Sequence, residues 1–465
     1  MHNLLLNSAR LFIFCFVILT FSQCTEQQGD YKIVPVYTDP SNFTNEIPMA
    51  WNQLMLDMER YDPGYKSPVA ARTLAYINIA AFESIYPAIS DRYNSIAQRY
   101  LFVQLPSVDP GQNYFFPLSM NTCYKDCLIN FYKNSNPEQL RKILWLYEEL
   151  NVKYSQNIDA ATSLRSSEFG KKIAKSIYDW SKTDLVGHEA YLRINDPNYS
   201  APAGDGLWKP TFPDFGAAIL PNWGNMRTFV ASHDDLQLPA PPAYSTDPGS
   251  VMYKEAKYVH DLTESARADK DGEDYWIGQF WSDDFSTLTF TPAGRWTAIA
   301  TQIMQIEKVN MVDAAVVYAK VSIALSDAAI GSWENKYKYN TERPVDYIRT
   351  NIDPNWNTIL IPDQTKKCYT PQSPSYPSEH AAYAAAAAGV LNNIFGTQYK
   401  LVDNCHKGRL EFRSDPRTFY SFNQIADEVA YSRSAAGVHY PSDAQAGLSL
   451  GKKIAATVNN IVVEK

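Results

Sequence analysis

Apolar residues recur at helical intervals along most of this chain of 465 residues. A spacing of three and four residues predicts amphipathic helices. Segments with this pattern are 47–61, 67–85, 137–157, 159–182, 250–266, 291–309, 311–336, 422–435 and 441–460. An alanine-rich stretch after His380, up to residue 390, predicts a further helix that small side chains allow to pack tightly. The fold class is therefore expected to be mainly α.

Proline, glycine and polar residues mark the breaks between these segments. Ser67 precedes a proline and is expected to cap the second helix. Residues 100–120 are expected to form a loop, and residues 187–250 a long irregular region with short strands. Pro344 is expected to end helical structure and to hold Arg343 outside the α conformation, because the residue before a proline is restricted.

The N-terminus has the pattern of an export leader. Arg10 precedes an apolar run over 11–21 that is too short to span a bilayer. Phe21-Ser22-Gln23-Cys24 is similar to a lipoprotein cleavage box, which predicts lipidation of Cys24 and a bacterial envelope location. The alternative is an ordinary secretory signal and a periplasmic or secreted protein. We expect residues 1–24 to be the leader and 25–45 a polar tether, and no other run is expected to span a membrane.

The net charge bears on the choice of binding partners, and the cysteine content bears on disulfide bonding. A net charge of -8 argues against nucleic acid, which favours a basic surface. Outside the leader region, an even number of cysteines in an exported protein permits disulfides. Cys368 with Cys405 is the candidate bridge, Cys123 and Cys127 are awkwardly spaced within one helix, and four free thiols are the alternative.

Three short motifs in the C-terminal third carry the chemistry. They are Lys336-x6-Arg343-Pro344, Pro377-Ser378-Glu379-His380 and Ser432-Arg433-x5-His439. Guanidinium groups suit the geometry of phosphate-like anions, and lysine adds a point charge. Imidazoles move protons or attack near neutral pH. The set predicts a cationic cage for a tetrahedral oxyanion.

The order and spacing of these motifs resemble the signature shared by vanadium-dependent haloperoxidases and type 2 phosphatidic-acid-type (PAP2) acid phosphatases. The resemblance implies a helical bundle with long irregular loops, closest to soluble bacterial vanadium haloperoxidase-like proteins. It further implies an N-terminal helical region over 46–285 and a catalytic helical domain over 286–465. The lack of a second apolar run separates the chain from the integral-membrane lipid phosphatases of the same superfamily.

The resemblance also implies a role for each motif residue. The groups expected to hold vanadate, or phosphate in the same place, are Lys336, Arg343, Ser378, Glu379, Arg433 and His439. His439 would ligate vanadium in a haloperoxidase or attack phosphorus in a phosphatase. Asp443 would fix the tautomer of His439, and His380 would act as the general acid or base.

Glu379 is the one departure inside the motifs, since the family usually has glycine there. The backbone N–H of Glu379 can still donate to an anion at the start of the alanine-rich helix. A carboxylate beside an anion site is unfavourable. The side chain is therefore expected to point away from the site or to pair with a cation.

Three functions remain open at this point. The first is an exported haloperoxidase that uses vanadate and peroxide to oxidise a halide. The second is a phosphatase that cleaves phosphomonoesters through a phosphohistidine, and the third is an envelope-tethered binding protein with a vestigial site. Trp333 is a candidate halide-pocket residue, or else an ordinary core residue. Ser373 stands where chloroperoxidase-like members have a second aromatic.

Replacing Cys24 with serine tests the leader. If Cys24 carries a lipid, Cys24→Ser is expected to move the protein from the membrane fraction to the soluble fraction, because the anchor is lost. Fractionation of cells that express the two forms measures this. Identical distributions of the two proteins would rule out lipidation at Cys24.

Overall fold

The structure is a computed structural model. It describes residues 37–184, 186–283, 285, 288–361, 368–410 and 413–465. The predicted leader, with Cys24, lies outside these residues, as does most of the predicted tether. Residues at the end of the tether already pack on the fold, since the Phe43 ring meets that of Phe115 edge-on at 5.4 Å.

Helices dominate the described residues, which confirms the expected mainly α class. The helices of the N-terminal region are α1 (Glu46–Tyr61), α2 (Ser67–Glu83), α3 (Ile96–Tyr100), α4 (Phe116–Phe131), α5 (Pro137–Tyr154), α6 (Ala160–Ser181), α7 (His233–Leu236), α8 (Val251–Ala268) and α9 (Glu273–Phe280). Those that follow are α10 (Pro292–Glu307), α11 (Met311–Tyr339), α12 (Pro344–Asn351), α13 (Glu379–Phe395), α14 (Phe422–Ala435) and α15 (Pro441–Asn459). Two short antiparallel strands, β1 (Leu401–Asp403) and β2 (Arg417–Phe419), pair between α13 and α14.

Several local predictions were wrong. Helix α4 begins inside the segment expected to be a loop. Its first two turns are buried on all sides, so the sequence there shows no amphipathic periodicity. The residue that caps α2 is Lys66, one position before Ser67. Residues 187–250 contain no strand. The strands that do occur, β1 and β2, have three residues each, too few for an alternating pattern.

Pro344 begins a helix and does not end one. Helix α11 ends at Tyr339, where Asn340 takes the left-handed conformation that often closes helices. Arg343 is extended, as expected before a proline, and Pro344 then occupies the first turn of α12. Proline is favoured there because its missing N–H would have no helical partner. The two cations of the first motif therefore lie on either side of a short link between helices.

Helix α11 is the central element of the structure. It packs against α2 on the N-terminal side and against α13 and α15 on the C-terminal side. By length and apolar composition it would be able to cross a membrane, contrary to the expectation that no such run follows the leader. Its most apolar window is 94% buried inside the protein, as in the core helix of a bundle. One cluster of buried side chains extends from Ile47 to Val463 across both predicted regions.

Helices α13 and α15 approach each other unusually closely. A Cβ on Gly447 would lie 2.3 Å from the carbonyl oxygen of Ser378, and one on Gly451 would lie 2.3 Å from that of Ala382. Only glycine fits at such distances. The alanine-rich face of α13 completes the contact. This packing brings the N-terminal ends of the two helices together.

The four cysteines of the described chain are free thiols, three of them buried and Cys405 half-buried. The candidate bridge between Cys368 and Cys405 is therefore not formed, and the alternative of free thiols is the one observed.

Glu59 is expected to make stability depend on pH. The side chain lies in the core, where the Thr291 hydroxyl donates to Oε2 at 2.8 Å. Burial raises the pKa of Glu59 to about 8, although Thr291 opposes the rise. The folded protein thus retains a proton between roughly pH 4.5 and 8 that the unfolded chain releases. Stability falls across this window as pH rises, by about 1.4 kcal/mol per pH unit for this one proton.

Glu59→Gln keeps a neutral side chain of the same shape and removes this proton. The midpoint of thermal unfolding should therefore fall less between pH 5 and pH 8 in Glu59→Gln than in the unaltered protein. Scanning calorimetry at the two pH values measures the difference. Parallel shifts in the two proteins would show that Glu59 does not titrate in this range.

Candidate functional site

The three motifs meet at the ends of five helices. Lys336 lies in the last turn of α11, and Arg343 immediately precedes α12. Ser378, Glu379 and His380 form the start of α13, where the Ser378 hydroxyl accepts from the N–H of Ala381 at 3.4 Å. The remaining residues come from the end of α14 and the start of α15 and are Arg433, His439 and Asp443. All of these side chains are buried.

Lys336 is held by backbone carbonyls. Its ammonium donates to the carbonyl oxygens of Pro374, Ser375 and Pro377 at 2.9, 3.1 and 2.8 Å. These three bonds use all three N–H groups of the ammonium. The carboxylate of Glu379 lies 3.0 Å from Nζ as an ion pair. Burial lowers the pKa of Lys336 to about 8, and Glu379 opposes this shift.

Arg343 is fixed by the segment that precedes the second motif. Its Nε donates to the Ser373 carbonyl at 2.8 Å and its Nη2 to the Ser373 hydroxyl at 3.1 Å. Nη1 donates to the carbonyl of Val438 at 2.9 Å and lies 3.0 Å from Nε2 of His439. Ser373 replaces an expected aromatic side chain, and here it orients a cation of the cage.

The contacts of His439 determine its tautomer. Arg343 can only donate, so Nε2 of His439 accepts, and the ring proton lies on Nδ1. That nitrogen faces Oδ2 of Asp443 at 3.1 Å. Burial and the nearby Arg343 lower the pKa of His439 and favour the neutral ring. His439 therefore presents a lone pair toward the cage.

Asp443 is itself oriented by two donors. The Ser375 hydroxyl donates to Oδ2 at 2.6 Å, and the backbone N–H of Tyr440 donates to the same oxygen at 3.1 Å. The first of these was not foreseen from the sequence. Its signal was available, because Ser373 and Ser375 alternate with prolines directly before the second motif.

His380 and Arg433 lie on the other side of the cage. Neither ring nitrogen of His380 has a hydrogen-bond partner among the described residues, and Nδ1 lies 3.6 Å from Oε1 of Glu379. Burial, reinforced by Arg433, lowers the pKa of His380 to about 3, so the ring is neutral near pH 7. Arg433 donates from Nη1 to the carbonyl of Trp281 at 3.1 Å.

Glu379 points into the cage and pairs with a cation, the second of the two arrangements expected for it. Its Oε2 lies 3.0 Å from Nζ of Lys336 and 3.6 Å from Nε2 of His439. Burial raises the pKa of this carboxyl. The charge of Lys336 is the largest influence that opposes burial, and the pKa is held well below its ordinary value. A carboxylate therefore stands where the family motif has only a hydrogen atom.

Trp333 lies beside the cage, but its polar group is engaged. The indole N–H donates to the carbonyl of Ile219 at 3.1 Å, and the ring centroid is 5.9 Å from Nζ of Lys336. Its N–H is therefore engaged by the backbone and is not directed at a halide. Ser432 likewise donates to the carbonyl of Val429 within its own helix.

Comparison with known proteins identifies relatives among the vanadium haloperoxidases. Residues 316–464 match the family model described as the VCPO second helical-bundle domain. The vanadium chloroperoxidase of Curvularia inaequalis is 31% identical over 134 residues, which are 25% of this chain and 22% of that protein. The vanadium-dependent bromoperoxidase of Corallina officinalis is 32% identical over 99 residues, 18% of this chain and 16% of that protein. The chain thus aligns with about a fifth of the length of these relatives.

Solved structures extend the similarity to most of the chain. A bacterial vanadium-dependent iodoperoxidase superposes with a TM-score of 0.79 at 27% identity, covering 91% of this chain and 97% of that one. An apo bacterial vanadium-dependent chloroperoxidase has a TM-score of 0.61 at 13% identity, with 87% and 97% covered, and shows the fold alone. The fold is that of the vanadium haloperoxidases. Residues 316–464 match the VCPO second helical-bundle domain, and the resemblance to vanadium haloperoxidases that the motifs indicate is confirmed.

Asp443 is expected to orient His439 directly, and Ser375 to act through Asp443, so the loss of Asp443 should reduce turnover more than the loss of Ser375. Asp443→Asn retains size but loses the charge that holds the Nδ1 proton, and a loss of about 10- to 100-fold in turnover is expected. Ser375→Ala removes one donor to Asp443 and should cost less. Steady-state kinetics of the two variants measures both effects. A larger loss for Ser375→Ala than for Asp443→Asn would contradict this order.

Proposed function

We propose that this protein is an exported haloperoxidase-type enzyme that holds vanadate in the cage and oxidises a halide with peroxide. The observation that carries the proposal is the neutral His439, whose Nε2 accepts from Arg343 while Asp443 holds Nδ1. A neutral imidazole with one unprotonated nitrogen is the form that binds a metal centre. A neighbouring cluster of cations suits the oxygens of an oxyanion.

The donor set fits vanadate in all but one respect. His439 would supply the ligand nitrogen, and Lys336, Arg343, Arg433 and the first turn of α13 would balance the charge of the oxygens. The carboxylate of Glu379 is the group that does not fit. Vanadate, when bound, supplies the activation of peroxide toward the halide.

The chain's own residues then have separate tasks. Asp443 keeps the Nδ1 proton of His439 in place, so the opposite nitrogen stays unprotonated. The neutral His380, whose ring nitrogens are free of hydrogen bonds to the described residues, can accept a proton from peroxide or return it. The burial of the cage excludes bulk water, which strengthens each of these electrostatic interactions.

A phosphatase is the second candidate, and Glu379 favours it. A phosphatase must release phosphate after each turnover, and a carboxylate inside the cage opposes permanent retention of an anion. The same His439 nitrogen would attack phosphorus, and His380 would protonate the leaving oxygen. A vestigial binding protein is the third reading, although all the motif cations and histidines are present.

The cellular setting of this proposal rests on the sequence alone. Export and a lipid anchor on Cys24 would place the enzyme at the cell envelope, with small-molecule substrates and no nucleic-acid partner. The expected substrates are peroxide with a halide, or a phosphoester for the second candidate.

One purified protein lacking residues 1–24 tests the candidates. With vanadate and peroxide supplied, we expect iodination and bromination of a phenol dye between pH 5 and 8, and slower chlorination, because chloride is the hardest of the three to oxidise. His439→Ala should abolish turnover, since it removes the ligand nitrogen. His233→Ala, which changes an exposed histidine, should leave it unchanged.

The outcomes separate the three functions. Phosphomonoester hydrolysis by the vanadate-free protein, without halogenation by the loaded protein, would favour the phosphatase. Neither activity, together with no heat of binding for phosphate or vanadate at millimolar concentration, would leave only the vestigial site. Full activity in His439→Ala would show that the chemistry lies elsewhere.

A further inference from the structure

The cage already contains an anion of its own. Lys336, Arg343 and Arg433 are three buried cations, and two carboxylates lie among the described residues of the cage: Glu379 pairs with Lys336, and Asp443 contacts His439. Asp443 lies behind His439, where its carboxylate accepts from the Nδ1–H of the ring. Glu379 lies in front of it, on the side of the lone pair. Of the two carboxylates, only Glu379 occupies space that an oxyanion needs.

The position of Glu379 places it between the groups that would hold a ligand. Its two oxygens lie 3.0 Å from Nζ of Lys336 and 3.6 Å from the nearest ring nitrogens of His439 and His380. The residue is 5% exposed, so water does not compensate the charge. An oxyanion on His439 would have to share this volume with the carboxylate, and like charges in a buried site repel strongly.

The way Glu379 is held makes it displaceable. The three N–H groups of Lys336 are bonded to carbonyl oxygens, so Lys336 attracts the carboxylate by charge alone. Its Oε2 has no hydrogen-bond donor among the described residues. A buried acceptor without a donor is costly. An oxyanion that does receive hydrogen bonds from Arg343 or from backbone N–H groups would thus have an advantage over the carboxylate.

We propose that Glu379 is an internal competitor at the oxyanion site, whose carboxylate charge must be displaced before vanadate or phosphate binds. The consequence is a weak and exchangeable anion site in place of a permanent one. The inference rests on the proposed function in one respect, namely that the cage is the oxyanion site. It adds a residue that sets the affinity and residence time of that anion.

Two variants at this position test the proposal. Glu379→Gln removes the charge and keeps the size of the side chain, and Glu379→Gly also removes its bulk. Glu46→Gln is the matched control, because Glu46 is likewise the first residue of a helix and pairs with a lysine, Lys153, at 2.6 Å outside the cage. Titration calorimetry with inorganic phosphate gives the affinities. Vanadium analysis after dialysis of the vanadate-loaded protein gives its retention.

We expect both Glu379 variants to bind phosphate about tenfold or more tightly than the unaltered protein, and to retain vanadate that the unaltered protein loses. Glu46→Gln should behave as the unaltered protein does. Equal affinities in all four proteins would overturn the proposal. Tightening in Glu379→Gly alone would also overturn it, because bulk and not charge would then be the obstacle. If Glu379→Gly does not fold, Glu379→Gln and its control decide the matter.

Failure of the proposed function has a different signature. If no variant binds phosphate or vanadate, the cage is not an oxyanion site, and both proposals fail. If all variants bind both anions equally and the loaded proteins halogenate, the proposed function stands and the role of Glu379 is rejected.

Discussion

The burial of three cations, Lys336, Arg343 and Arg433, is the constraint on which the rest of the site depends. Each is at most 1% exposed. Removing a charged group from water costs several kcal/mol even after the protein relaxes. The cost is offset by backbone carbonyls, which accept from all three side chains. Carbonyl oxygens are partial charges fixed by the fold, so they hold the cations in place and leave positive charge for a ligand.

That arrangement depends in turn on how closely the helices pack. The carbonyls around Lys336 belong to the extended segment that leads into α13. This segment is tied to α15, since the N–H of Ser378 donates to the carbonyl of Asp443 at 2.9 Å. Larger residues at Gly447 or Gly451 would force α13 and α15 apart, and the cage would open with them. Small residues far from the chemistry therefore determine whether its parts meet.

The sequence predicted the fold class and most of the long helices, because each has a local signal, and the residues that it singled out for the cage lie together in the structure. Amphipathic spacing marks α5, α6 and α8, and the three motifs mark the cations and histidines. The features that the sequence could not predict have no local signal in the residue pattern. Helix α4 is buried on all sides in its first two turns, so that part of it shows no polar face. Several of the groups that hold the cations are backbone oxygens, for which any residue type serves.

The Glu379 side chain is a second example of what the sequence could not predict. The sequence shows that a glutamate stands at this position, and it leaves two arrangements open. The side chain either points away from the site or pairs with a cation. Only the structure distinguishes them. The N–H groups of Lys336 are bonded to carbonyls, which are uncharged, so its positive charge still attracts the carboxylate of Glu379. A glycine at this position would leave that charge for the ligand alone. With glutamate, part of the charge is already satisfied, so the same cage that favours an anion also limits how firmly any one anion stays.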